Sequence, residues 1–219
     1  MGTTNDDRYS VLLLLSLIAF LMLSAFVKEN HVLGDGVLAL SMYVALVAAT
    51  LELSQKRGLR LPATFLAGIS MLIMLIYFFR PVHMIMVANW LFLAVFLGFV
   101  SVALFSYVGL PGSVTRGRIY GLVNLYLLLG MFYFAVFNFI ETVEPGSFRE
   151  TALPVLDGIS RHSLLYLSLV TLTTLGYGDV VAISRPARIV AALEAVTGVL
   201  YIAITVARLV AAYASTVEK

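Results

Sequence analysis

The chain has no cysteine, which excludes disulfides, thiolate metal sites and cysteine nucleophiles and leaves open the compartment it faces. Charge is almost as scarce. Asp, Glu, Lys and Arg make up 12% of the residues, and a net charge of +2 is too small to suggest a nucleic-acid partner. The last long apolar run holds no histidine, and G-x-S-x-G is absent, so a serine protease working inside the bilayer lacks its parts and an enzyme is not expected. What fills the chain instead is hydrocarbon. At 61% hydrophobic residues, with a mean hydropathy of +1.01, its 219 residues are too apolar for a soluble domain and read as an integral membrane protein. The first apolar run follows the acidic head Asn5-Asp6-Asp7-Arg8, which is not a net basic n-region, and no small-residue cleavage site stands out, so it is expected to be retained rather than removed as a signal peptide.

Six stretches are long enough to span about 30 Å of hydrocarbon as helices. They run Val11–Val27, Val37–Leu53, Leu61–Phe79, Met84–Val108, Arg118–Ile140 and Arg188–Tyr213. Between the fifth and sixth lie a polar stretch, Glu141–Ser160, and a short apolar helix, Arg161–Thr173, too brief to cross. Such a segment is tolerated at membrane depth only as a re-entrant element whose non-helical continuation is buried or lines an aqueous path. Lys56, Arg57, Arg60, Arg116 and Arg118 fall in alternate loops from Lys28 and Arg80, so both termini are expected in the cytoplasm; the membrane itself is expected to be the plasma (inner) membrane. Arg149, Arg161 and Arg185 then lie outside, against that bias.

The short helix runs into Thr171-Leu172-Thr173-Thr174-Leu175-Gly176-Tyr177-Gly178-Asp179. Stripping water from an ion requires backbone carbonyls that converge on one axis with no side chain in the way. Gly176 and Gly178 can take the positive φ that turns successive carbonyls the same way, while Leu175 and Tyr177 point into supporting protein and Thr174 adds a hydroxyl at the inner end. The six fixed residues of T-T-x-G-Y-G-D match by chance roughly once in 10⁷ to 10⁸ positions. The segment resembles the selectivity filter of the potassium channel superfamily, with Leu175 where valine is familiar.

That resemblance covers roughly Arg118–Tyr213 and is only topological before it. It implies an all-α membrane protein of six transmembrane helices in a four-plus-two order: a four-helix domain over 1–109, a linker at 110–117 and a pore domain over 118–219. The pore domain comprises an outer helix, a pore helix (161–173), a filter (174–179) and an inner helix (188–213). One chain supplies one filter strand, so four copies form a homotetramer around K+, and the C-terminal ends of four pore helices place partial negative charge where a cation waits. The implied ion ligands are Thr174, Leu175, Gly176, Tyr177 and Gly178, with Asp179, Tyr166, Thr173 and Glu194 as filter support and Ile202, Thr205 and Val206 lining the inner cavity. Gly198, nineteen residues beyond Asp179, matches the position of a hinge glycine; close packing against the pore helix is the other explanation for a glycine there. Partners are K+ and the bilayer; no cofactor is expected, K+ being a permeant ligand.

Three departures matter. Val170 stands where many of these channels carry a glutamate that pairs with the Asp179 equivalent. Tyr166 replaces a frequent tryptophan and can offer its hydroxyl to Asp179, and Gly178-Asp179-Val180-Val181-Ala182 lacks the proline that often stiffens the outer mouth. Glu194 has two readings: a hydrogen bond to the pore helix, or, more economically, a plain acid reached by water near the outer third of its helix.

The front four helices match a voltage sensor only in count and place. Moving charge through the field is worth about 2.3 kcal/mol per charge per 100 mV, and the fourth helix holds no Lys or Arg. Arg80 reads as a cap or anchor, and Leu110-Pro111-Gly112-Ser113 makes a poor lever, so little intrinsic voltage gating is expected. These helices read as a lipid-facing scaffold or a site for a lipid or small ligand. Arg208 is expected to snorkel, His31, His83 and His162 to be interfacial, Trp90 to face interface or lipid, and Asn124 and Asn138 to bond between helices. No ligand-binding domain is expected after Lys219. A weakly selective cation channel also keeps such glycines, although Thr174 and Tyr177 together favour potassium; a non-conducting subunit or a transporter accounts for the helices but not for the filter.

Overall fold

Hydrocarbon offers a peptide group no water to bond, so each spanning segment closes its hydrogen bonds within itself as a helix. The computed structural model describes residues 5–27, 32–54, 58–80, 82–108, 116–151 and 158–217. Its elements in chain order are α1 (Asn5–Phe26), α2 (Val32–Ser54), α3 (Arg60–Phe79), α4 (His83–Val108), α5 (Arg116–Val143), β1 (Phe148–Glu150), α6 (Arg161–Leu172), β2 (Val180–Ala182) and α7 (Arg185–Val217). Six of these helices are long and apolar enough to cross a membrane. The exception is α6: its 12 residues reach only about 18 Å. Most helices outrun the apolar stretch that marks them, α1 beginning at Asn5 rather than Val11 and α7 spanning Arg185–Val217 rather than Arg188–Tyr213. Hydropathy marks the part of a helix that lies in hydrocarbon, whereas its hydrogen bonding continues into polar turns. The expected linker lies outside the described residues up to 115; Arg116 and Gly117 open α5.

The chain forms two compact units, one of 1–68, 99–128 and 204–219, the other of 69–98 and 129–203. In the first, α1 packs on α2. Leu13, Leu17 and Phe20 are buried, as are Ala45, Ala48 and Ala49, whose small side chains let helix backbones approach closely. Some hydroxyls on these helices bond the preceding turn of their own helix: Ser16 donates to the Leu13 carbonyl at 2.8 Å and Thr50 to that of Val47 at 2.7 Å. The buried Glu52 accepts from Ser10 Oγ (2.9 Å) and from Asn124 Nδ2 (3.4 Å), and the same Asn124 amide donates to the Ser10 carbonyl at 2.8 Å. Asn124 thus does bond between helices. Arg208 lies over the Phe105 ring, 5.3 Å from its centroid.

In the second unit, Trp90 is buried and meets Phe134 edge-on, with centroids 5.5 Å apart, so it faces neither interface nor lipid. Asn138 donates to the Phe134 carbonyl of its own helix (2.8 Å); that amide bond is local, contrary to the expectation of an interhelical one. His83 donates through Nε2 to the Thr142 carbonyl at 2.8 Å, His162 sits in the first turn of α6, and His31 lies outside the described residues.

The polar stretch between α5 and α6 holds a strand that the sequence reading did not expect. β1 pairs antiparallel with β2, with Phe148 opposite Ala182, Arg149 opposite Val181 and Glu150 opposite Val180. Phe137 packs on Phe148 at 4.9 Å and seats the start of the strand.

Candidate ion-conduction site

The short helix α6 is fixed at both ends. Ser160, in an extended conformation (φ −76°, ψ 154°), accepts the Ser163 N–H at 3.1 Å, so a donor left free by the first turn is satisfied. The Ser160 hydroxyl donates to Ser163 Oγ at 2.8 Å, and the proton of Ser163 goes to the Glu150 carboxylate on β1. At the far end Thr173 caps the helix, its Oγ1 donating to the Leu169 carbonyl at 2.8 Å. The hydroxyl expected to support the filter thus serves the last turn of α6.

Beyond the cap the backbone alternates in hand. Thr174, Gly176 and Gly178 take φ of 59°, 51° and 79°, and Leu175 and Tyr177 between them do not. A non-glycine residue at positive φ is uncommon and persists where surrounding structure imposes it. The N–H groups of Leu175 and Gly176 converge on the Val170 carbonyl at 2.8 and 3.2 Å. Across a trans peptide bond the carbonyl points opposite to the N–H, so the carbonyls of Thr174 and Leu175 are directed away from α6. The position that lacks a glutamate therefore anchors the loop after α6 through its backbone. An added Cβ at Gly176 or Gly178 would meet nothing within 4 Å; φ, not space, demands glycine there. Leu175 and Tyr177 are 55% and 70% exposed, so within one chain no supporting protein covers them. Tyr166 donates its hydroxyl to Asp179 Oδ2 at 2.8 Å, and Asp179 Oδ1 accepts the Val180 N–H at 3.0 Å.

Behind α6 lies a buried cluster. Glu194 is fully buried, which corrects the picture of an acid reached by water, and its Oε1 lies 2.5 Å from Ser168 Oγ on α6. Ser168 also reaches the Gly130 carbonyl of α5 at 2.7 Å. Glu194 Oε2 has no hydrogen-bond partner among the described residues. One turn on, Thr197 Oγ1 lies 2.9 Å from the Tyr133 hydroxyl of α5. A Cβ on Gly198 would collide with the Leu172 carbonyl oxygen and lie 2.9 Å from its carbon, while one on Gly130 would lie 3.1 Å from Leu169 Cδ2. Two glycines thus let α6 pack tightly between α5 and α7. Ser168 and Gly130 escaped the sequence reading, although a hydroxyl in mid-α6 and a glycine within an apolar helix were visible signals. Along α7, Tyr201 turns into the protein, whereas Ile202 and Val206 are exposed and Thr205 is half-buried.

Residues 121–215 match a family model described as "Ion channel". No curated protein and no solved structure matches the chain. The match begins in α5, ends in α7 and so encloses α6, the alternating loop and the Glu194 cluster. Six of the described helices are long and apolar enough to cross a membrane, as in an integral membrane protein, and the chain's segment 121–215 is similar to a family of ion channels.

Proposed function

We propose that the chain is one subunit of a potassium-selective channel, a homotetramer that conducts K+ passively through a central pore. The observation that carries this reading is the alternation of left-handed residues at Thr174, Gly176 and Gly178, with carbonyls turned away from α6. Carbonyls aligned in this way replace the hydration shell of a cation. Their oxygens, with the Thr174 hydroxyl, are the ion ligands, and α6 is re-entrant, its C-terminal end directed at the cavity. The uncovered Leu175 and Tyr177 call for neighbouring copies to enclose them. The outer and inner helices are α5 and α7, the termini are cytoplasmic, and the exposed Ile202 and Val206 line the cavity with Thr205. The front four helices form a scaffold without sensor charges, so conductance depends little on voltage.

The test is the reversal potential of purified protein in a planar bilayer under opposed K+ and Na+ gradients. A tenfold gradient is about 1.4 kcal/mol, or about 60 mV for one charge. Reversal at the potassium equilibrium value, lost in Tyr177→Ala, is the expected result. Reversal near zero makes the protein a weakly selective cation channel, and absence of current under all lipids and pH values makes it a non-conducting subunit.

A second expectation concerns Tyr166. Removing its hydroxyl in Tyr166→Phe frees Asp179 Oδ2 while leaving the ring in place. Sustained current should then decline several-fold faster with reversal unchanged. A decline at the wild-type rate removes Tyr166 from the filter's support.

A further inference from the structure

The carbonyl oxygen of Asp179 accepts two hydrogen bonds from one residue, Thr151 N–H at 2.7 Å and Thr151 Oγ1 at 3.1 Å. Thr151 immediately follows β1, and Asp179 immediately precedes β2, so these bonds extend the ladder up to the last residue of the filter motif. An oxygen with both lone pairs occupied has none left for an ion. The side chain of Asp179 is also held, by Tyr166 and by the Val180 N–H.

The ladder is anchored from behind. Glu141, in the last turn of α5, splits its carboxylate between the N–H groups of Gly146 (2.8 Å) and Phe148 (3.1 Å) and so fixes the turn that launches β1. The Ser147 carbonyl accepts the N–H groups of Ile183 (2.7 Å) and Ser184 (3.2 Å), closing the far end of the ladder. Glu150 takes the hydroxyl proton of Ser163 and ties β1 to the first turn of α6. The chain after the filter is therefore joined to α5 and α6 through Glu141–Thr151, in a protein without an acid at position 170 or a proline within Gly178–Ala182.

We propose that Glu141–Thr151 is the external brace of the filter, with Thr151 as the positioning residue that saturates the Asp179 carbonyl and ends the conduction column at Gly178. This rests on the channel reading above. With Thr151 in place, the Asp179 peptide cannot rotate its oxygen toward the axis, and the column keeps its geometry as ions leave.

The test combines two readouts on the full-length assembled protein: the decline of sustained current at low and high external K+, and amide hydrogen exchange across Asp179–Ser184. Thr151→Val removes one of the two bonds at similar volume and Thr151→Ser keeps both, while Glu141→Gln weakens the fork that launches β1. In Thr151→Val the current should decline about three- to tenfold faster, slowed again by high external K+, with faster exchange at Val180–Ile183. Thr151→Ser should restore both, and Glu141→Gln should move both in the direction of Thr151→Val. Wild-type decline and exchange in Thr151→Val and Glu141→Gln overturn the brace. Faster exchange without a change in decline overturns its role in conduction. A wild-type protein that passes no selective K+ current overturns the channel reading and that role together, while the exchange pattern still decides whether the brace exists.

Discussion

Gly198→Ala is expected to abolish K+ current, at least tenfold per assembled channel, and to lower the thermal stability of the assembly. An alanine in a helix interior is ordinarily about 1 kcal/mol better than glycine, so propensity alone predicts the opposite sign. Here the new methyl would enter the Leu172 carbonyl, with its carbon at 2.9 Å and Cα at 3.3 Å. These are backbone atoms at the end of α6 and cannot rotate aside. Relief requires α7 and α6 to separate, at the about 1–3 kcal/mol typical of overpacking, and the displacement passes straight into Thr173 and Thr174. Gly130→Ala is the graded counterpart: its Cβ would meet Leu169 Cδ2 at 3.1 Å, the end of a side chain that can yield, so a smaller loss is expected. Current amplitude, reversal potential and melting of the assembly measure both variants. A bending point replaced by alanine would change opening and leave selectivity and melting alone; that result in Gly198→Ala would remove the packing account.

The difference between the two glycines shows which parts of this protein were legible in its residues. The six apolar helices and the short helix before the filter follow from hydropathy and length, because burial in hydrocarbon leaves the backbone no alternative. The conformation of the loop after α6 was legible because its demand is local: positive φ at Gly176 and Gly178 is a property of the residue itself. Asp179 and Tyr166 were paired correctly because the motif fixes their spacing. The ladder was not legible. Each strand has three residues, too few for an alternating pattern, and their pairing joins segments about thirty residues apart. Glu194 was misjudged for a related reason. An acid in an apolar helix reads the same whether water or a serine on another helix meets it, and only the packing of α6 between two glycines decides. Trp90 likewise carries the composition of a lipid-facing residue, and only the presence of Phe134 places it inside.

Glu194→Gln is expected to retain near-wild-type current and melting, whereas Glu194→Ala loses most of both. Ser168 has one hydroxyl proton and two oxygens within reach, the Gly130 carbonyl at 2.7 Å and Glu194 Oε1 at 2.5 Å. A carbonyl can only accept. If Ser168 donates to Gly130, the contact with Glu194 needs a proton from the acid; if Ser168 donates to Glu194, the Gly130 carbonyl loses this donor. A glutamine amide satisfies the first arrangement at nearly the same volume, with its N–H on Ser168 Oγ and its oxygen in the place of the second carboxyl oxygen. Alanine removes the donor and leaves a cavity beside α6, a change that costs about 2–5 kcal/mol for large-to-small substitutions in a packed interior. In the channel proposed above α6 carries the filter on its C-terminal end, so this loss should appear in conduction as well as in melting. Paired measurements of current and melting separate the cases. A Glu194→Gln protein as damaged as Glu194→Ala would mean that the cluster needs the carboxylate charge, and the single-proton account of Ser168 would fall.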